Sequence, residues 1–458
     1  MLSLKLADVA MWTHGTLQGA DVAVHGVFTD TRAPVGGALF VAIKGENFDA
    51  HEFVAAARQA GAAAALVARV QPVDLPQVVV DDTLIALGDL ASAVRAQRRA
   101  RVIGITGSNG KTTVKTLLAS ILALHGKTHV NAGNFNNEIG LPLSVLAMPE
   151  DAQYAVLEMG AGKPGDIAEL AAIARPEIGL VNNIAPAHLE RMGTLEGIAE
   201  TKGALYTSLP THGIAVINAD DAFAPMFVGM AGKRQVVRFG LDNPADVTAQ
   251  ISTLAAQAKF TLVIGAERIA IDLPLGGRHN VMNALAAASV AHALDVPIAT
   301  IKQGLESAQP VAGRMIRHAM PGGWTLIDDS YNANPGSTAA AIALLSAEPG
   351  QTWLVLGDMR ELGRNARDLH AQIGELARSA GISRLYTVGE LAAAAAQAFD
   401  NGKRHFPDQV ALAAALHADL HAGVQVLIKG SRGSAMERVV RALRGDREGN
   451  GGGARHVA

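Results

Sequence analysis

The 458-residue chain carries 39 Lys and Arg against 42 Asp and Glu, a net charge of −3, and 4% of it is aromatic. No overall positive field draws it to nucleic acid or anionic lipid, and stacking platforms for single strands are too few. Its length suits about three domains with separate cores; zero cysteines exclude disulfides, thiolate catalysis and Cys-ligated metals, and permit a reducing, cytoplasmic setting. The longest Ala-rich run, Ala60 to Ala68, falls far short of the ~20 residues that span a bilayer. Lys5 and Asp8 interrupt the start before a signal-peptide core forms. We expect neither nucleic-acid binding nor membrane insertion.

Residues 1–98 open with strand-like runs, Val22 to Phe28 and Ala38 to Ile43, joined by a Gly36-Gly37 turn and followed by a helical stretch from His51. This reads as a small α/β domain. It ends in a basic stretch, Arg95 to Arg101, expected as a solvated helix end. From 99 to 313 the text alternates strand, Gly-rich turn and helix: Tyr154 to Leu157, Ile178 to Ile184 and Ile214 to Asn218 are buried strands. That pattern predicts a parallel, helix-covered sheet. Phe260 to Leu273 reads as an antiparallel hairpin around Gly265, and Asn280 to Leu294 as an Ala-rich helix. Residues 314–444 repeat the βα pattern, with strands at Trp353 to Leu356, Leu385 to Val388 and Gln425 to Ile428, so a third, Rossmann-like domain is expected. The Gly-rich end, Gly445 to Ala458, offers nothing apolar to pack and is expected as a disordered tail.

The densest chemistry lies in Arg101-Val-Ile-Gly-Ile-Thr-Gly-Ser-Asn-Gly-Lys-Thr-Thr113, an apolar strand running into a glycine loop and then a helix, Val114 to His125. Glycines let backbone N–H groups face a triphosphate, Lys111 can meet its β/γ oxygens, the Thr112 hydroxyl can hold Mg²⁺, and the helix dipole adds to the attraction. The spacing departs from the usual phosphate loop and reads as Gly107-x-x-Gly-Lys-Thr. Glu158 ends a buried strand, on the side where ligands of open α/β sheets bind, and can reach the metal. His188 follows the next strand on the same crest and reads equally as a structural histidine. Lys202 alone reads as an ordinary surface lysine.

Further segments carry a resemblance: Thr106-Gly-Ser-Asn-Gly-Lys-Thr-Thr, Gly133-Asn-Phe-Asn-Asn-Glu-Ile-Gly-Leu-Pro142, Leu157-Glu-Met-Gly, Asn183-Ile-Ala-Pro-Ala-His188, Gly277-Arg-His-Asn-Val-Met-Asn283, Asp328-Asp-Ser-Tyr-Asn-Ala-Asn334, Gly357-Asp-Met-Arg-Glu-Leu-Gly363 and Lys429-Gly-Ser-Arg432. In this order the chain resembles the Mur ligases, over nearly its whole length, with Thr29-Asp-Thr-Arg32 and Phe40 to His51 in the first domain included. The resemblance implies an ATP-dependent, ADP-forming amide ligase that adds D-alanyl-D-alanine to a UDP-N-acetylmuramoyl-tripeptide, working as a monomer on small-molecule substrates. It implies ATP held by Gly107, Ser108, Asn109, Gly110, Lys111, Thr112 and Thr113, and two Mg²⁺ ions, one on Thr112 and Glu158 and one on His188 and a carbamylated Lys202. Lys111, His188 and Lys202 would be the catalytic set. His279, Asn283, Arg314 and Asp329 would contact adenine and ribose. Thr29, Asp30, Arg32, Lys44, Asn136 and Asn137 would serve the UDP-linked substrate, and Lys429 and Arg432 the dipeptide or acyl phosphate. A sister ligase adding one amino acid, a folylpolyglutamate synthetase, and a nucleotide switch without ligase activity are the alternatives.

Overall fold

The computed structural model describes residues 3–45, 48–186 and 189–446. Three large sheets, each covered by helices, form a three-domain α/β architecture, and a two-stranded ribbon pairs Leu4–Lys5 with Ala23–Val24. In the first sheet the strands run Thr16–Gln18, Gln77–Val79, Ala64–Val67, Leu39–Val41 and Val27–Phe28. Val27–Phe28 pairs in parallel with Leu39–Val41, so the loop holding Gly36 and Gly37 crosses over rather than closing a hairpin. The expected run from Val22 also breaks in two at Gly26, whose φ of +107° only glycine adopts readily.

The middle sheet has nine strands. Its heart is four parallel strands: β1 (Arg101–Thr106), β2 (Tyr154–Glu158), β3 (Ile178–Val181) and β4 (Ile214–Asn218). They are apolar on both faces because helices cover both. Helix α1 (Lys111–Ala123) buries Val114, Leu117, Leu118, Ile121 and Leu122, the stripe a helical period of 3.6 demands. Helix α2 (Leu195–Thr207) covers the other face, and the Ala-rich α3 (Arg278–Ala293) is buried on nearly every side beside α1. The hairpin at 258–273 forms as expected, but it extends this same sheet, making it mixed. The expected strand from Ile178 stops at Val181, where Asn182 turns toward the loop after β1.

Residues 95–101 depart from the sequence expectation. Arg95 is buried, donating to the carbonyls of Ala174 and Arg175 at the end of helix Asp166–Ala174 and to those of Arg98 and Ala100. Helix Thr83–Ala96 packs on two middle-domain helices, so one apolar core runs from Leu87, Leu90 and Val94 into Val102, Leu141 and Leu170. The basic stretch is a seam, its guanidinium replacing water at orphan helix-end carbonyls.

The last sheet is built around β5 (Trp324–Asp329), β6 (Gln351–Gly357) and β7 (Val424–Lys429). Helix α4 (Pro335–Ser346) leaves β5 through an Asn334 cap and returns to β6. Expected tail residues 447–458 lie outside the described residues, as does His188.

Candidate active site

In-register parallel pairing sets Glu158 beside Ile105 and Val181 beside Thr106. The carboxyl ends of β1, β2 and β3 therefore make one crest, with the glycine loop of 107–110 above it. This is the switch point of an open sheet, since β2 and β3 flank β1 on opposite sides. Gly110, at φ +78°, caps α1; a Cβ there would meet Asn283 Oδ1 and lie 2.6 Å from Asn182 Nδ2. The loop thus requires glycine both for conformation and for space.

The last domain closes the crest into a cavity of about 1030 Å³, lined by Ser108 to Thr113, Asn136, Asn137, Glu158, His279 and Asn283 from the middle domain. Arg314, Asp329, Tyr331, Lys429 and Arg432 line it from the other side. Thr112 Oγ1 donates to Glu158 Oε2 at 2.8 Å and accepts from Arg314 Nη2 at 3.0 Å. Asn136 Nδ2 donates to Glu158 Oε1 at 2.7 Å. Burial pushes the Glu158 carboxyl up, but Lys111 and Lys115 beside it, with the hydrogen bonds from Asn136 and Thr112, outweigh this and hold it below the ordinary value. Glu158 is therefore an anion at neutral pH. Lys111 Nζ donates to Gly107 O at 2.7 Å, and burial lowers its pKa against the pull of Glu158.

Across the cavity, Asp329 and Lys429 are neighbours in register on β5 and β7, and Lys429 Nζ donates to Asp329 Oδ2 at 2.6 Å and to Asn332 O at 2.9 Å. Burial raises the Asp329 carboxyl, against the opposing pull of Lys429 and Arg314. His279 is pushed down to about 4, first by burial and then by Lys429. Arg314 lies over the ring of Tyr331, with 4.4 Å to the centroid. Among the described residues, Arg314 Nε and Asn182 Oδ1 are buried without a hydrogen-bond partner. Both residues line the cavity with their other atoms.

The structure thus brings together nearly all of the expected nucleotide residues, with Asn136, Asn137, Lys429 and Arg432 in the same cavity. Four substrate candidates stand elsewhere. Thr29, Asp30, Arg32 and Lys44 belong to the first domain and do not line this cavity. The Arg32 guanidinium is held by Asp30, with Nη2 to Oδ2 at 2.6 Å, and Lys44 pairs with Asp49 through a backbone bridge. Lys202, on α2, is 1% exposed and does not line the cavity. Its pKa falls well below the ordinary lysine value, first from burial and then from Lys111. Gly203 leaves no spare room beside it, because Met230 and Phe227 fill the space where a Cβ would stand. Among the described residues no three His, Asp or Glu side chains cluster as a metal site; the hard-oxygen pair that does form is Thr112 with Glu158.

Two participants escaped sequence reasoning. Lys115, one turn beyond Lys111, is buried, donates to the carbonyls of Asn131 and Gly133 at 3.0 Å each, and lies 3.6 Å from Glu158. Its position at i+4 from Lys111, on a helix face otherwise apolar, is the one signal available. Asn182 ties the loop to the crest through Asn109 O and Asn283 Oδ1, both at 2.9 Å; the sequence placed it within the expected strand Ile178 to Ile184, with no signal of its own.

An open sheet whose glycine loop faces a second α/β domain across one cavity defines a nucleotide-using α/β enzyme. Residues 105–291 match the Mur ligase middle domain, 313–432 the Mur ligase glutamate ligase domain, and 23–98 the Mur ligase family catalytic domain. The chain is 44% identical over 447 residues to the UDP-N-acetylmuramoyl-tripeptide–D-alanyl-D-alanine ligase of Escherichia coli strain K12, covering 97% of this chain and 99% of that one. It superposes on a crystal structure of MurF from Acinetobacter baumannii with a TM-score of 0.92 at 33% identity, covering 97% of this chain and 99% of that chain. MurF ligase from Thermotoga maritima in complex with ADP gives 0.81 at 28% identity, covering 92% and 97%. The chain belongs to the Mur ligase family.

Proposed function

We propose that this protein is an ATP-dependent, ADP-forming amide ligase that joins D-alanyl-D-alanine to UDP-N-acetylmuramoyl-tripeptide, giving the pentapeptide precursor of peptidoglycan. The observation that carries the reading is the convergence of Lys111, Thr112 and Glu158 with Arg314 and Asp329 on one cavity, in a chain similar from end to end to ligases of that name. Consumption of ATP fits a cytoplasmic location.

The chemistry follows from the charges. A carboxylate oxygen of the tripeptide attacks the γ-phosphorus, the β,γ bridging bond breaks, and ADP leaves with an acyl phosphate formed. The dipeptide's amine then attacks the acyl carbon, expels inorganic phosphate and loses a proton, closing the amide. Lys111, at the loop, and Arg314, from the last domain, offset the repulsion between a carboxylate and a polyanion. The seated last domain keeps water from the acyl phosphate.

Thr112 and Glu158 fit one Mg²⁺, a hydroxyl and an ionised carboxylate 2.8 Å apart at a helix N-terminus. Bound there, the ion supplies further charge neutralisation. A second ion would rest on His188 and Lys202. Supporting this, burial beside Lys111 favours the neutral Lys202 amine; that amine adds carbon dioxide with loss of one proton, giving an anionic carbamate with oxygens that suit a hard cation. The first-domain motif around Thr29, Asp30, Arg32 and Lys44 would hold the UDP end, with Asn136 and Asn137 along the path of the peptide.

The test is acceptor dependence. With ATP and Mg²⁺ present, phosphate release should require both UDP-N-acetylmuramoyl-tripeptide and D-alanyl-D-alanine. Release with either alone indicates a nucleotide switch; release with a single amino acid and a shorter acceptor indicates a sister ligase.

A further inference from the structure

Asn109 sits at the tip of the phosphate loop, and its main chain is fixed entirely from within the middle domain. Its N–H donates to Asn183 Oδ1 at 2.9 Å, and its carbonyl accepts from Asn182 Nδ2 at 2.9 Å and Asn183 Nδ2 at 3.2 Å. The side chain is what remains, and its Oδ1 accepts from Asn334 Nδ2 at 2.7 Å, across the boundary to the last domain. These two residues are 225 positions apart in the chain.

Asn334 is built to present that donor. Its oxygen caps α4 by accepting from Ser337 N at 2.9 Å, while its own N–H donates to Ser337 Oγ at 3.1 Å. Pro335 follows at the first helical position, so the backbone is set as well. With the oxygen committed to the cap, the amide nitrogen faces away from the helix, toward the loop. The seam is tight: a Cβ at Gly336 would lie 3.4 Å from Asn109 Nδ2 and 3.6 Å from Ala185. Another direct hydrogen bond across this boundary, Arg314 to Thr112, uses side chains assigned to phosphate and metal, whereas in the asparagine pair the side chain of Asn109, on the loop assigned to ATP, meets protein.

We propose that Asn334 is a positioning residue that latches the last domain onto the phosphate loop through the Asn109 side chain, so that the closed cavity is held in register by a bond independent of substrate. The effect on catalysis rests on the ligase reading; the latch itself does not.

Serine caps a helix about as well as asparagine but is too short to cap and bridge together. Asn334→Ser therefore removes the latch and spares the cap, while Asn109→Ala removes the acceptor and leaves the loop's main-chain bonds. Since the chain has no cysteine, Leu124→Cys and Val410→Cys, at sites 46% and 81% exposed, accept a fluorophore pair that reads the distance between middle and last domains. In the presence of a non-hydrolysable ATP analogue and UDP-N-acetylmuramoyl-tripeptide, Asn334→Ser should lower the closed-to-open ratio about fivefold, the worth of one ordinary hydrogen bond. The dipeptide KM should rise in step, with melting temperature unchanged. Placed in the Asn109→Ala background, the same change should shift the ratio less than twofold, because the bond is already gone. An equal loss in both backgrounds, or no loss in either, overturns the latch. Absence of acceptor-dependent phosphate release in the unmodified enzyme would sink the ligase reading instead, and the distance cycle would still decide the latch.

Discussion

Replacing Lys115 by Met removes a buried cation while keeping the volume nearly constant, so cavity formation adds little. The ammonium has three partners: Asn131 O and Gly133 O at 3.0 Å, and Glu158 Oε2 at 3.6 Å. Gly133 is exposed, so water replaces the lysine at its carbonyl. Asn131 is 2% and Glu158 3% exposed, and those two groups stay dry. Glu158 keeps Thr112, Asn136 and Lys111, so the cost falls at the lower end of the 3–5 kcal/mol of a fully broken buried pair and above the ~1.5 kcal/mol of one charge-assisted bond, at about 3 kcal/mol. The strain concentrates in the segment 131–141, which the lysine ties to α1 and which carries Asn136 and Asn137. Amide exchange there should quicken about a hundredfold, at roughly tenfold per 1.4 kcal/mol, with loss of activity in parallel. Exchange within threefold of the unmodified protein, with activity retained, would refute the role of Lys115 as the clamp between this segment and Glu158.

Gly110→Ala should weaken binding of an ATP analogue at least a hundredfold with the fold intact by circular dichroism, since the left-handed backbone costs ~1–2 kcal/mol and the new Cβ displaces Asn182 and Asn283; calorimetry checks it. Because the folded state holds His279 neutral down to about 4 from an ordinary 6.5, its contribution to stability is present above pH 6.5 and falls away as the pH drops through 4. Urea unfolding of the unmodified protein should therefore lose up to about 3 kcal/mol relative to His279→Gln over that window, and parallel curves for the two would contradict it. Lys202→Ala should lose activity deeply and regain part of it with acetate, and the unmodified enzyme in ¹³C-bicarbonate should show a carbamate resonance that the variant lacks; near-full activity of the variant would remove Lys202 from the site.

Local pattern carried much of this structure. The strands at 154–158, 214–218 and 424–429, the hairpin at 258–273 and the glycine loop all follow from apolar runs and turn residues close together in the chain. What stayed hidden depends on segments that meet only after folding. Arg95 looked like part of a solvated end because its carbonyl partners lie about 80 residues further on. Lys115 offered only its i+4 spacing from Lys111, since the segment that accepts from it is recruited by tertiary packing. Lys202 looked like a surface lysine because nothing near it in the chain shows that α2 packs it to 1% exposure. The site followed the same rule: Lys111, Thr112 and Glu158 were legible because strand ends mark the crest, whereas Asn334 acts across the boundary to the last domain and Asn182 reaches partners 73 and 101 positions away, which spacing does not encode.

The central claim is that ATP in this cavity activates a carboxylate. Labelling the tripeptide's terminal carboxylate with ¹⁸O and measuring the mass of the released phosphate tests it most directly. An acyl phosphate transfers one carboxylate oxygen to phosphorus, so each phosphate formed with D-alanyl-D-alanine present should carry one ¹⁸O from fully labelled substrate. Phosphate carrying none of the label would mean that water or another nucleophile takes the γ-phosphoryl group, and would contradict the account.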